Sequence, residues 1–294
     1  GLAHARAGES ADPLLWHAHI AMQQAKAAQG CTHHLYDERI HRGARSMADL
    51  EGELRRALRR DELELHYQPR LCLQSGRILG LEALVRWRHA ERGLLGPDEF
   101  VPLAEESGLI VPLGYWVIAR ALRDMQWLRG RGLPTLHMAV NLSFRQFQDS
   151  QLLSTLGRLI EERGVDAQWL EFELTETAVV SEYDRVKRLL SSFQSDGMQT
   201  SLDDFGAGGS LLNNMVDIPV NTIKLDKLFL TRCSSNARGT DFLREIVHLV
   251  KRLGYNVICE GIETEEQEEL LRNCGCEYGQ GFLYGRPMQR ADFE

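Results

Sequence analysis

From residue 61 onward, short apolar segments typical of β-strands alternate with amphipathic segments typical of helices, and this alternation constrains the fold more than any other feature. Strands are predicted at 63–68, 78–87, 137–142, 169–174, 199–203, 221–225, 256–260 and 279–284. Helices are predicted between them, at 97–106, 111–130, 145–163, 182–196, 237–253 and 264–273. Eight strands with intervening helices predict an α/β fold of the (β/α)8 TIM-like barrel class.

One departure from a regular barrel is predicted at the first strand. Only the residues from Leu71 to Arg77 separate the first two predicted strands, and a helical crossover between parallel strands needs a longer connection. The first strand is therefore expected to be antiparallel to the second. An open doubly wound sheet is the alternative fold, but no G-x-G-x-x-G motif follows an early strand.

The residues that precede the barrel have a helical pattern. Apolar residues at helix spacing predict one helix over 11–30. Ser46 with Asp49 predicts the cap of a second helix, along which Leu50 and Leu54 belong to one apolar stripe. N-terminal helices are therefore expected before the barrel, and nothing catalytic is visible before residue 60.

Composition and charge limit the classes of partner. The formal net charge of −8 at pH 7 argues against a surface that binds polymeric nucleic acid. No apolar run approaches the roughly 20 residues that a membrane helix needs, and the N-terminus lacks the layout of a signal peptide. The six cysteines are scattered, as is typical of thiols in a reducing compartment. A cytoplasmic location is predicted, and a membrane anchor upstream in a longer protein remains open.

Polar and charged residues recur near the ends of the predicted strands. Two adjacent carboxylates, Asp203 and Asp204, end the fifth strand, and a divalent cation between such neighbours would relieve their repulsion. The other strands carry Gln68, Glu82, Arg86, Asn141, Glu173, Lys224, Glu260 and Gln280. In a barrel of this class, catalytic groups from several strands gather at the face formed by the carboxyl ends of the strands.

Each of these residues also has a purely structural explanation. Glu82 could pair with Arg86, Asn141 could cap the next turn, and Lys224 could bridge to Asp226. Charged residues are rarely buried without partners, so such a number of them on barrel strands needs a common explanation. A metal cluster provides one, and its oxygen-rich ligands favour magnesium or manganese over zinc.

The segment Glu82-Ala83-Leu84-Val85-Arg86-Trp87 resembles the signature of the EAL-domain cyclic di-GMP phosphodiesterases. Other blocks agree in the same order: Tyr67-Gln68-Pro69, Val140-Asn141-Leu142-Ser143, Glu173-Leu174-Thr175-Glu176, Asp203-Asp204-Phe205-Gly206, Ile223-Lys224-Leu225-Asp226, Glu260-Gly261-Ile262-Glu263 and Gly279-Gln280-Gly281. The opening segment is similar to the last helix of a GGDEF diguanylate cyclase domain, in Ala11-Asp12 and Ala25-Lys26-Ala27. Residues 1–45 are therefore interpreted as a GGDEF remnant and linker, and residues 46–294 as the EAL phosphodiesterase barrel.

The resemblance implies hydrolysis of cyclic di-GMP to linear pGpG with two divalent ions, Mg²⁺ or Mn²⁺. It assigns the ions to Glu82, Asn141, Glu173, Asp203, Asp204 and Glu260, and catalytic roles to Lys224, Glu260 and Glu82. It assigns the substrate to Gln68, Leu84, Arg86 and Gln280, and support of the Asp-Asp loop to Glu176 and Glu263. It also implies a homodimer. A catalytically weak or inactive receptor for cyclic di-GMP is the alternative function.

One segment departs from the pattern of the family. In the run from Ala207 to Leu211, Gly209 stands where the family usually has an aromatic residue, and Asn221 stands where an Asp is usual. A glycine has more backbone freedom to lose on ordering. We therefore expect a mobile loop, a weakly held Asp204 and slow turnover, which the substitution Gly209→Tyr would raise at low magnesium.

Overall fold

The computed structural model describes residues 49–132, 136–176, 179, 182–206, 215–234 and 236–293, together with isolated positions before residue 49. The chain divides into two compact units, Gly1–Ala57 and Leu58–Glu294. In the first unit, residues 49–57 are helical. The predicted cap at Ser46, the predicted helix over 11–30 (isolated positions apart) and the predicted mobile loop around Gly209 lie outside the described residues. The GGDEF remnant stays a prediction.

Eight strands of the second unit close into a barrel, which confirms the predicted fold class. In the order β1-β2-β4-β5-β6-β7-β8-β9 each strand pairs with the next, and β1 pairs with β9. Their bounds are Leu63–Cys72 (β1), Ile78–His89 (β2), His137–Asn141 (β4), Leu170–Thr175 (β5), Gln199–Phe205 (β6), Thr222–Leu225 (β7), Asn256–Cys259 (β8) and Tyr278–Gln280 (β9). The structure also contains two short strands that were not predicted, β3 (Gly93–Leu95) and β10 (Met288–Gln289). β3 pairs with β2, and β10 pairs with β1, both antiparallel.

The first strand runs against the rest of the barrel, as predicted. β1 is antiparallel to both of its barrel neighbours, β2 and β9, and every other barrel pairing is parallel. A tight turn joins β1 to β2, and its Gly76 has a φ of 67°, a left-handed conformation that glycine adopts without steric cost.

The predicted helices surround the barrel in the predicted order, together with a helix at Lys227–Cys233 that was not predicted; one helix and one strand need correction. They are α1 (Pro97–Ser107), α2 (Ile110–Gly130), α3 (Phe144–Phe147), α4 (Leu152–Arg163), α5 (Tyr183–Ser195), α6 (Lys227–Cys233), α7 (Ala237–Arg252) and α8 (Glu265–Asn273). The single helix predicted over 145–163 is wrong, because Asp149 accepts a hydrogen bond from the backbone of Gln151 and turns the chain. The last strand ends at Gln280 rather than at residue 284, because Gly281 accepts hydrogen bonds from Tyr284 and Gly285 in a turn.

No helix among the described residues has both the length and the apolar character that a bilayer crossing requires. The apolar side chains of the helices pack instead on the outer face of the barrel. For example, the rings of Phe172 on β5 and Phe193 on α5 lie 4.9 Å apart, and both side chains are fully buried.

Asn221 links β6 to the segment before β7. It accepts a hydrogen bond of 2.9 Å from the backbone N–H of Thr200 through its amide oxygen. An amide oxygen and a carboxylate oxygen can both accept such a bond, so this link does not require the Asp that the resemblance leads one to expect at this position.

Asp124 on α2 joins the first strand, a helix and the end of the chain. The Tyr67 hydroxyl on β1 donates to Asp124 Oδ2 at 2.6 Å, and Arg120 Nε donates to the same oxygen at 3.3 Å. Arg290 donates to the other carboxylate oxygen. Asp124 is almost completely buried. Its hydrogen-bonding and charged partners therefore have to compensate for the hydration that the carboxylate loses on folding.

We expect Asp124→Ala to lower the free energy of unfolding by about 1–3 kcal/mol, because it removes the acceptor of the buried Tyr67 hydroxyl, whereas Arg120 and Arg290 are partly exposed and can be hydrated. Tyr67→Phe should cost only about 1 kcal/mol, since it removes one hydrogen bond. Tyr115→Phe is the matched control, because the Tyr115 hydroxyl also donates at 2.6 Å to a carboxylate, Asp149, at a less buried position. Urea denaturation measures all three, and equal losses for Tyr67→Phe and Tyr115→Phe would contradict the role of burial.

Candidate active site

The strand register brings the predicted residues to one end of the barrel. Gln68 on β1 stands opposite Glu82 on β2, and Asn141 on β4 stands opposite Glu173 on β5. Asp203 pairs in register with Thr175 at the carboxyl end of β5. Lys224, Glu260 and Gln280 come from β7, from the residue after β8 and from β9. The structure therefore places these side chains at the carboxyl-end face of the barrel.

The ammonium group of Lys224 lies at the centre of the carboxylates. Its Nζ atom is 2.6 Å from Glu260 Oε1, 2.8 Å from Glu173 Oε2 and 3.1 Å from Asp203 Oδ1. Glu82 Oε2 is more distant, at 3.9 Å. Burial alone would lower the pKa of Lys224, but Asp203, Glu260 and Glu82 outweigh it, and the pKa is raised. The lysine is therefore fully charged at neutral pH. Its partners are Glu260, Glu173 and Asp203 rather than Asp226.

Arg70 is a second buried cation in the site, and sequence reasoning missed it. Its guanidinium pairs with Glu173, lies 3.2 Å from Glu171 and approaches Glu82 to 4.0 Å. Its Nε donates to Gln280 Oε1 at 3.0 Å. Arg70 follows Gln68 by two positions on the same strand, and this spacing places both on one face of β1. That alternation was the signal that would have identified it.

Three side-chain amides connect the cluster across the closure of the barrel. Asn141 Nδ2 donates to Glu82 Oε1 at 2.8 Å. Gln280 Nε2 donates to Glu82 Oε2 at 2.5 Å and to Gln68 Oε1 at 3.0 Å. Burial would raise the pKa of Glu82, but Lys224, Arg70 and these amides outweigh it and lower the pKa. Glu82 is therefore ionised, with both oxygens oriented by donors.

Asp204 is held in a strained backbone conformation. Its φ is 57°, in the left-handed region that only Gly, Asn and Asp enter at modest cost. Its backbone N–H donates to Asp203 Oδ1 at 2.9 Å. Burial raises the pKa of Asp204, with further contributions from Asp203 and Asp226. The structure thus turns two consecutive carboxylates in different directions while keeping them close.

The remaining predicted residues lie around this centre. Glu176 accepts from the backbone N–H of Gly206 at 3.3 Å, in the segment after the two aspartates. Glu263 pairs with Lys227 of α6 at 2.5 Å. This contact links Glu263 to a helix rather than to the Asp-Asp segment. Arg86 is half-buried, and its Nη1 donates to the carbonyl of Val85 at 2.8 Å.

A cavity of about 220 Å³ opens over the cluster. Its lining includes Glu82 and Glu260 from the cluster, together with Leu84 and Lys227. It also includes Phe282, whose ring is 46% exposed and has the guanidinium of Arg286 at 4.3 Å from its centroid. Lys227 was not predicted because it lies outside the predicted strands. Phe282 lies within the strand predicted over 279–284, but it was not predicted because only polar and charged residues of the strands were considered as candidates.

The donor set fits hard divalent cations. Glu82, Asn141, Glu173, Asp203, Asp204 and Glu260 supply only oxygen ligands to the cluster, which Mg²⁺ and Mn²⁺ prefer. The carboxylates outnumber the two buried cations. Accordingly, burial raises the pKa of Glu260, and repulsion from Asp203 and Glu82 adds to this despite the attraction of Lys224. No three Asp, Glu, His or Cys side chains among the described residues already form a metal cage.

Comparison with known proteins identifies the family. The family model of the EAL domain, which describes its sequence pattern, matches residues 51–287 of this chain. The chain belongs to the EAL domain family. The sequence is 38% identical to the cyclic di-GMP phosphodiesterase NbdA of Pseudomonas aeruginosa over 98% of this chain and 37% of that protein. It is 34% identical to the cyclic di-GMP phosphodiesterase PdeR of Escherichia coli over 98% of this chain and 43% of that protein.

A solved structure supports the same assignment. The PaMucR phosphodiesterase in complex with c-di-GMP superposes with a TM-score of 0.79 at 36% identity, covering 84% of this chain and all of that one. The resemblance to the EAL domain is therefore confirmed. The chain spans only about two fifths of the length of the two curated relatives.

In this EAL domain, the effect of the left-handed backbone of Asp204 on stability can be measured separately from the effect of its carboxylate on metal binding. Asp204→Asn and Asp204→Ala both remove the charged carboxylate, and both should weaken Mn²⁺ binding in calorimetric titration, the alanine variant more strongly because it also lacks an amide oxygen. The alanine variant should have an unfolding free energy lower by about 1 kcal/mol than the asparagine variant, because alanine pays more to adopt a left-handed conformation. Equal stability of the two variants would show that the chain relaxes to an ordinary φ at this position.

Proposed function

We propose that the EAL domain hydrolyses cyclic di-GMP to linear pGpG and uses two Mg²⁺ or Mn²⁺ ions. The observation that carries the proposal is the buried cluster of carboxylates around Lys224 at the carboxyl-end face of the barrel. The relatives named as cyclic di-GMP phosphodiesterases match nearly the whole chain. The proposed substrate and activity are those given by the names of these relatives. The proposed chemistry is inferred from the cluster.

The ions would be held by Glu82, Asn141, Glu173, Asp203, Asp204 and Glu260. When bound, a pair of divalent ions acidifies water and offsets negative charge on a phosphoryl group. The protein contributes a rigid donor set, since Asn141 and Gln280 fix both oxygens of Glu82. Arg70 fixes Glu173 through an ion pair. Residues positioned in this way lose little freedom when they bind ions.

We propose that Lys224 acts on the reacting phosphodiester. Its ammonium is fully buried and charged, and a preorganised cation in a dry site stabilises charge that develops in the transition state. We assign to it the orientation of the attacking water and the neutralisation of the phosphoryl oxygens. Glu260, which lines the cavity, lies 2.6 Å from this ammonium.

The cavity over the cluster supplies contacts for the rest of the substrate. Gln68, Gln280 and Leu84 line the cavity. Gln68 would meet a guanine edge and Gln280 the substrate or a metal-bound water, in exchange for part of the hydrogen bonds that the two amides make within the protein. The exposed ring of Phe282 offers a surface on which a base can stack. Arg86 suits a phosphate oxygen because its guanidinium stays charged in a half-buried position.

The test is cleavage of cyclic di-GMP by the wild-type chain and by Glu82→Ala, followed by chromatography with Mg²⁺ and with EDTA. We expect pGpG from the wild type with Mg²⁺ only, and no product from Glu82→Ala. The fold of the variant should survive, because Arg70 and Lys224 keep other carboxylate partners. Glu277→Ala, which removes a partly exposed carboxylate paired with Lys251, is the control with unchanged activity. Tight binding of cyclic di-GMP without cleavage in the wild type would favour the receptor alternative.

Removal of the central cation should affect turnover rather than substrate binding. We expect Lys224→Ala to reduce kcat on the order of 100- to 1,000-fold, as for other preorganised charges at a reacting group, with little change in the Kd for cyclic di-GMP. Lys251→Ala is the charge-matched control outside the cluster. An unchanged kcat with a much larger Kd would instead assign Lys224 to substrate recognition.

A homodimer remains a proposal, and the structure offers one surface for it. Leu228, Phe242 and Leu249 on α6 and α7 expose large apolar side chains, and the rings of Phe229 and Phe242 are 5.8 Å apart. We propose that a second copy covers this surface, because exposed apolar patches commonly mark association sites. Sedimentation at micromolar protein should show a dimer that Phe242→Glu dissociates. Leu94→Glu, at an exposed leucine on β3, should leave the dimer intact, and a monomeric wild type would defeat the proposal.

A further inference from the structure

A second cavity, of about 590 Å³, opens at the opposite end of the barrel from the carboxylate cluster. Every strand of the closed barrel contributes to its lining: β1 through its carboxyl end, because this strand is reversed, and the other seven strands at their amino-terminal ends. Its size is within the roughly 300–1,000 Å³ typical of ligand pockets. The amino-terminal mouth of this barrel is therefore open enough to hold a small molecule.

The walls of this cavity are largely apolar and include aromatic rings. Trp169 and Tyr278 line it from opposite parts of the sheet, and the ring of Trp169 lies 4.9 Å from that of His137. Ile78 and Leu79 line the mouth and are 43% and 38% exposed. Exposure of two adjacent large aliphatic side chains beside a cavity favours a partner that removes them from water.

The floor of the cavity is a buried ion pair with an unsatisfied oxygen. Arg70 and Glu171 are only 4% and 7% exposed, and Arg70 Nη1 lies 3.2 Å from Glu171 Oε1. This Oε1 atom nevertheless accepts no hydrogen bond of acceptable geometry from the described residues. The guanidinium of Arg70 offsets the charge of this oxygen, but a carboxylate oxygen can accept further hydrogen bonds, and a donor on a ligand in the cavity would supply one.

The charges at the floor restrict the ligand. An anion would meet the carboxylate of Glu171, and a cation would meet the guanidinium of Arg70 beside it. Burial lowers the pKa of His137 and outweighs the opposing effect of Glu171, so this side chain adds no charge at neutral pH. Arg77 also lines the cavity, but it is exposed, and solvent screens the charge of an exposed side chain. An uncharged molecule with an N–H or O–H group satisfies the oxygen without repulsion from either partner.

We infer that this cavity binds a small, uncharged aromatic molecule whose single N–H or O–H group donates to Glu171. The aromatic part contacts the apolar walls between Trp169 and Tyr278. The site is separate from the cluster around Lys224 and requires neither metal ions nor cyclic di-GMP. Arg70 is the element common to both ends, because its guanidinium contacts Glu171 and Glu173.

The test uses indole as the probe, with benzofuran as a probe of the same shape that lacks the N–H donor. Ligand-observed NMR titration of the whole chain should show saturable binding of indole. Benzofuran should bind on the order of 10- to 100-fold more weakly, which is the expected effect of one hydrogen bond to a charged group.

Leu79→Trp is expected to fill the mouth of the cavity and abolish binding of indole. Leu94→Trp places the same side chain at an exposed leucine of β3 outside the cavity and should leave binding intact. Both variants should retain the wild-type thermal midpoint within a few degrees and unchanged basal turnover of cyclic di-GMP. Absence of saturable binding to the wild type, equal affinity for benzofuran, or undiminished binding by a folded Leu79→Trp variant would each overturn the proposal.

Discussion

The site depends on one buried ammonium group. Lys224 makes its contacts to Glu173, Asp203 and Glu260 with no exposed surface. Removing one partner from a buried ion pair typically costs about 3–5 kcal/mol, so each of these contacts constrains its neighbours. Three strands and the residue after a fourth must keep their register for the contacts to form. The carboxylates that the proposed ions require are thus already gathered by the fold.

Arg70 repeats this arrangement one layer deeper in the barrel. It pairs with Glu173 toward the cluster and with Glu171 toward the opposite end. The two glutamates are separated by two positions on β5, so both side chains point into the barrel. The interior therefore contains a continuous polar column rather than the layers of branched apolar side chains usual in this fold class. Such a column is tolerated because its members have partners of opposite charge.

The sequence was sufficient for the barrel, the reversed first strand and the grouping of the strand-end residues. Those conclusions needed only the spacing of strands and the rule that carboxyl ends share one face. The meeting of Gln68 with Gln280 follows from barrel closure. Residue roles, metal and substrate stay predictions, supported by the family and by the cluster.

Other features depend on contacts that no local pattern contains. The break between α3 and α4 involves Asp149, whose carboxylate accepts from Tyr115 on a different helix. The left-handed backbone of Asp204 is one of several conformations open to an aspartate. The open cavity beneath Arg70 results from how side chains of eight strands fill space, and strand spacing carries no information about that volume.

The reversal of β1 also determines where the polypeptide joins the barrel. Leu63, at the start of β1, stands opposite Trp87 near the end of β2, so the chain arrives on the same side as the carboxylate cluster. In an all-parallel barrel the first strand would begin on the remote side. The first residue of β1 consequently lies at the end of the barrel that carries the carboxylate cluster, and the strand leads from there inward through Gln68 to Arg70.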